Sequence, residues 1–145
     1  MSFSKELAKT IRSVLWWRME FNSETLNESG KQCRARDELR AKVLNLKDLV
    51  GYQDGSVSSR MIVSTRTGSV TLFSFDENEG LSEHTAPFDA VVTILEGECE
   101  VWIQGETHQM KEGNTIIFPA NVPHALSAVT RFKMSLTMIR DTEHD

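Results

Sequence analysis

The sequence predicts an all-β domain, a sandwich or barrel, preceded by an N-terminal helical extension. Three observations carry this. Short segments rich in Val, Ile, Phe and Thr recur from Arg60 onward, as strands do. Turn residues separate them: all three prolines and seven of the eight glycines lie beyond residue 41. Helix-length patterns are missing between these segments, which argues against a βαβ fold. The chain has 145 residues, the length of one domain and enough to bury a core without staples.

The elements are justified in chain order. Leu7, Ile11, Val14 or Leu15, and Met19 recur at spacings of three and four, the pattern of an amphipathic helix. Ser4 stands where an N-cap belongs. Residues 22–32 are polar and read as a linker, and Arg34–Ala41 reads as a second short helix. Beyond the change in composition near residue 41, Arg60–Thr65 and Val70–Phe75 flank a hairpin turn at Thr67-Gly68. Asp76–Gly80 is a polar loop. Ala90–Leu95 and Cys99–Gln104 flank Glu96-Gly97-Glu98. Thr107–Met110, Thr115–Phe118, His124–Val129 and Phe132–Ile139 complete the set, so the domain is expected over 41–140, with an acidic tail at 141–145.

Composition excludes several classes. The longest run of large apolar residues in the first half is Val14–Trp17, too short for a bilayer span or a signal-peptide core. Two cysteines, Cys33 and Cys99, form no disulfide framework and no metal-binding spacing, so reduced thiols and a cytoplasmic location are expected. Residues 1–40 hold 8 Lys+Arg against 6 Asp+Glu, whereas 41–145 hold 8 against 15. An acidic body repels phosphate, so nucleic acid is not an expected partner. No nucleophile elbow and no Gly-rich phosphate loop is present. Cys99, Val101 and Ile103 alternate with Glu98, Glu100, Trp102 and Gln104, which assigns Cys99 to the core. The evenly spaced Glu96, Glu98 and Glu100 read as a solvated strand face.

Two stretches resemble a known family. Gly80-Leu-Ser-Glu-His84-Thr-Ala86-Pro-Phe-Asp89-Ala90-Val-Val-Thr-Ile-Leu-Glu-Gly97 is similar to the first cupin motif. Gly113-Asn-Thr-Ile-Ile-Phe-Pro119-Ala-Asn-Val-Pro-His124 is similar to the second. The resemblance spans about residues 41–140. It implies a small single-domain barrel of the cupin type-2 kind, a double-stranded β-helix or jelly roll of two antiparallel sheets.

The family's metal site uses three His and one Glu. By the resemblance, His84 and His124 stand at two of those positions, Ala86 replaces the second His, and the Glu position falls on Ala90. Asp89 is one residue early, and a one-residue shift points a strand side chain to the other face unless a bulge beside Pro87 restores it. Two His and one carboxylate would make a facial triad, with Asp89, or Glu83 after rearrangement, as the third donor. His108 shares strand parity with Met110 and reads as a rim or core histidine, with a lesser claim as a third donor. His144 lies in the solvated tail.

The expected protein is therefore a homodimeric cupin with a degenerate metal site. It would bind a small molecule in the barrel mouth, or a weakly held divalent ion (Zn, Ni, Fe or Mn), at His84 and His124. The alternative is a metal-dependent dioxygenase or isomerase acting on a small polar substrate. No organic cofactor is expected, and no residue is assigned a catalytic role. The basic start, with Lys5, Lys9, Arg12 and Arg18 against Glu6, fits a transit peptide, a membrane-surface helix, a dimer-packing arm or an extension from an upstream start codon. Trp16 and Trp17 favour an arm packed on the barrel or on a subunit partner, since they would otherwise expose a large apolar patch.

Overall fold

Successive side chains of a strand point to opposite faces, so a strand with one buried face alternates. Phe132–Ile139 does so along its length: Phe132, Met134, Leu136 and Met138 are buried, and the residues between them are not. The computed structural model describes residues 38–140. They contain nine strands: β1 Val57–Ser64, β2 Gly68–Phe75, β3 Gly80–His84, β4 Asp89–Glu96, β5 Glu98–Ile103, β6 Glu106–Lys111, β7 Thr115–Phe118, β8 His124–Ala128 and β9 Phe132–Ile139. A short 3-10 turn, Leu46–Asp48, precedes them.

The strands form two antiparallel sheets. One is five-stranded in the order β1-β2-β9-β4-β7, and the other four-stranded in the order β3-β8-β5-β6. The core lies between them. Phe73, Phe75, Val92, Ile94, Phe132 and Met134 enter it from the larger sheet, and Cys99, Val101, Met110 and Leu126 from the smaller. Phe75 and Phe132 stack with centroids 4.5 Å apart. Cys99 is fully buried, and burial pushes its thiol up to about 12, so it packs as a small apolar group.

The outer face of β2 is covered as well. Leu72 and Ser74 point away from Phe73 and Phe75 yet are buried. The segment before β1 crosses them: Ser74 Oγ donates to the Gly51 carbonyl at 2.7 Å, and Arg60 Nη1 to the Leu49 carbonyl at 3.2 Å.

Two readings of the sequence need amendment. Of the expected second helix, residues 38–41 are described; they form a turn that ends with Ala41 at φ 58°, a conformation that stops a right-handed helix. β3 is absent from the strands marked by apolar alternation. It carries only one large apolar side chain, Leu81, and is a strand because β8 pairs with it. The helix expected over Leu7–Met19, the linker at 22–32 and the acidic tail lie outside the described residues. Among the described residues no helix is long and apolar enough to cross a membrane.

Candidate functional site

His84 is the last residue of β3 and His124 the first of β8. The two are antiparallel register partners, after an irregularity between Leu81 and His84. They share the strand face that carries Leu126 into the core, and His124 is only 5% exposed. Their ring centroids are 4.4 Å apart at an interplanar angle of 69°. Phe118, at the end of β7, stacks on His124 with centroids 4.4 Å apart. His124 thus sits between a ring from each sheet.

The loop from Pro119 to Pro123 delivers His124 to this place. Prolines cannot donate to a ladder, so each marks a strand end. Three hydrogen bonds then hold the loop. The Ala120 N–H donates to Asp89 Oδ1 at 2.8 Å. The Asn121 N–H donates to the Ala86 carbonyl at 2.7 Å, and the Gln104 N–H to the Pro123 carbonyl at 3.2 Å. Asn121 takes φ 63°, a left-handed turn that Asn tolerates better than most residues.

Both imidazoles are held in the same tautomer. A carbonyl oxygen can only accept, so Nδ1–H donates in each ring: from His84 to Ser82 O at 2.7 Å, and from His124 to Val122 O at 3.0 Å. In a neutral ring this leaves Nε2 as the acceptor. Burial, reinforced by the repulsion of charge on His84, pushes His124 down to about 4; the Val122 carbonyl opposes this and does not win. His124 is therefore a neutral acceptor at neutral pH.

The remaining candidate donors lie elsewhere. Asp89 occupies the exposed face of β4, opposite to buried Ala90, and its carboxylate is engaged with the loop. No bulge brings it inward: β4 pairs regularly with β7 from Ala90 and with β9 from Asp89. Glu83 is exposed on the outer face of β3. His108 has the inward parity of Val101, but on edge strand β6; its side chain is 41% exposed and its Nε2 lies 3.9 Å from Glu106 Oε2. Ala86 and Ala90, at the other two positions of the family's site, are buried and offer no donor. Among the described residues no three His, Cys, Asp or Glu side chains form a group able to hold a metal ion. The four-donor iron or manganese centre of the family does not fit these residues.

One contributor was not singled out from the sequence: Phe118, which the sequence marks only as the end of the strand Thr115–Phe118. The register partners His84–His124, His124–Ile103 and Ile103–Glu106 form one cross-strand row. Glu106 ends that row two strands beyond His124, with its side chain 81% exposed, so it is no partner of the pair. Of the three glutamates read as a solvated face, Glu98 is exposed and Glu100 half-buried, whereas Glu96 accepts from Tyr52 OH at 2.7 Å.

Known proteins agree with this architecture. A family profile described as "Cupin domain" matches residues 71–140. The structure of a conserved protein of unknown function from Streptococcus pyogenes is 40% identical, with a TM-score of 0.66 over 70% of this chain and 89% of that one. A cupin 2 conserved barrel domain protein from Leptotrichia buccalis is 37% identical, with a TM-score of 0.65 over 67% of this chain and 47% of that one. A cupin superfamily protein from Desulfitobacterium hafniense is 25% identical, with a TM-score of 0.67 over 70% of this chain and 94% of that one. Two ordered motifs on two facing antiparallel sheets, together with these relatives, establish that the chain belongs to the cupin type-2 family.

Proposed function

We propose that this small cupin is a binding module, and that His84 and His124 form the polar centre of a site for a small molecule at the end of the barrel. The observation that carries this reading is the pair of adjacent imidazoles whose Nδ1–H groups are held by backbone carbonyls and which have, among the described residues, no carboxylate partner. The buried Nε2 acceptor of His124, with Phe118 stacked on its ring and His84 beside it, suits a ligand with an apolar body and one or two hydrogen-bond donors. A carboxylate within reach would instead be expected of a general acid–base pair or a facial triad.

A second reading has its own support. A metal-bound imidazole usually donates its other ring N–H to a carbonyl or carboxylate, and both histidines already donate through Nδ1. A zinc, nickel or iron(II) ion held here would have, among the described residues, two protein donors and no close carboxylate to balance its charge. Its affinity would be low and would fall further as the rings protonate.

The test is calorimetric titration of the untagged protein with the three ions, alongside a fragment screen read by NMR. His84→Ala and His124→Ala are each expected to abolish the responses, and Asp89→Asn to leave them in place. Tight metal binding that survives loss of either histidine would overturn the assignment. A strong loss on Asp89→Asn would restore the metal-enzyme alternative.

A further inference from the structure

The four-stranded sheet has a second face, turned away from the histidines. Cys99 and Val101 of β5 are buried in the core, so Glu100 and Trp102, which alternate with them, face outward. Their register partners on β8 are Ser127 and Ala125, which are small. On the far side of β8, β3 presents Ser82 and Glu83. A strand of short side chains between two that carry long ones leaves a trough, and the structure has one: an open groove of about 230 Å³ lined by these six residues among others.

We propose that this groove is a site for a small organic cation, such as an ammonium head group. Its lining contains two carboxylates and an indole and no Lys or Arg. Among the described residues neither Glu83 nor Glu100 is in a salt bridge with a basic side chain. Gln109 Nε2 donates to Glu100 Oε2 at 2.5 Å, a neutral partner that holds that carboxylate in place. Trp offers the strongest aromatic face to a cation. The body of the chain, with 15 Asp+Glu against 8 Lys+Arg over 41–145, adds a general attraction. The volume lies below the roughly 300–1,000 Å³ of sites that enclose a drug-sized molecule, so the groove suits a head group rather than a large ligand.

The experiment titrates the full chain with choline and with 3,3-dimethylbutan-1-ol, its uncharged isostere, and monitors the Trp102 indole and the Ser127 amide by NMR. Choline is expected to give saturable shifts at both positions and to bind at least tenfold more tightly than the isostere. Trp102→Leu, and the double variant Glu83→Gln with Glu100→Gln, are each expected to lose at least tenfold. Raising salt from about 20 to 500 mM should weaken binding several-fold, because the pairing is exposed to screening. His84→Ala and His124→Ala should leave choline binding unchanged, so the outcome is separate from that at the histidine pair. Absence of saturable shifts, equal binding of the isostere, or full binding by the double glutamine variant would each overturn the proposal. Equal binding of the isostere would mark the groove as a site for neutral hydroxylated ligands.

Discussion

A histidine driven into the core has to give up its charge, and at His124 this makes stability depend on pH. Unfolded, its ring titrates near 6.5; folded, it is held down to about 4. The unfolded state takes up the proton first, so the stability present above pH 6.5 is lost as pH falls toward 4. A shift of this size corresponds to roughly 3 kcal/mol at full effect. His124→Gln should flatten that part of the pH profile, as read by urea unfolding at pH 7, 5.5 and 4.5; an equally steep acid loss in the variant would contradict it. Asp89 supplies the second prediction. Its carboxylate accepts the Ala120 N–H, and Asn keeps such an oxygen whereas Ala does not. Asp89→Ala should cost on the order of 1 kcal/mol and speed hydrogen exchange at the Ala120 amide, and Asp89→Asn should do neither strongly.

Turns decide whether strands meet, and the one at Gly97 joins β4 to β5. Gly97 has φ +80°, and a Cβ there would collide with the Arg131 carbonyl oxygen and stand 2.8 Å from Phe132 Cα. The obstruction is backbone, so it cannot swing aside. Gly97→Ala is therefore expected to cost about 3 kcal/mol or more, combining the left-handed conformation with the clash. The expected signature is a much lower urea midpoint. Gly97, the turn after Glu96, is visible in the sequence as punctuation. The backbone it touches is 34 residues away at Arg131, and only the assembled sheets reveal that. β3 teaches the converse. Its polar stretch Leu81-Ser-Glu-His84 has no apolar alternation to announce a strand, and it forms one because β8 offers an unpaired edge.

At the scale of the molecule, the two ends of the barrel differ. The end carrying His84, His124 and the Pro119–Pro123 loop presents the candidate site. At the other end Arg131 bonds both Asp54 and Asp76, tying the lead-in segment to the loop before β9. Donation from the Gly55 N–H, then from Arg131, holds Asp76 down to about 2. Tyr52 joins this clamp through Glu96, under Lys133 at 4.8 Å. These bonds make residues 47–56 part of the folded unit, whereas all nine strands lie at or beyond Val57. A chain lacking residues 1–40 should therefore keep a single cooperative thermal transition. A molten or aggregated product would show that the arm is needed for the core. Cutting instead at residue 56 should lower the melting temperature, because it uncovers Leu72 and Ser74.

The sequence by itself determined the barrel: alternating apolar residues, Gly and Pro at the turns, and two ordered motifs are local signals, and local chemistry suffices to read them. The resemblance to the two cupin motifs also marked His84 and His124, and the pairing of β3 with β8 brings them side by side. Tertiary structure decided the rest. Whether Asp89 faced the histidines depended on a bulge, and regular pairing with β7 and β9 at that end of β4 turned it outward to hold a loop. The groove beside Trp102 was invisible for a related reason. Glu83 reads as a candidate third donor and Glu100 as a solvated charge, and they face one trough only because β8, which comes later in the chain than both, lies between β3 and β5. Strand order is set by long-range pairing across the whole chain, and no local pattern of side chains encodes it.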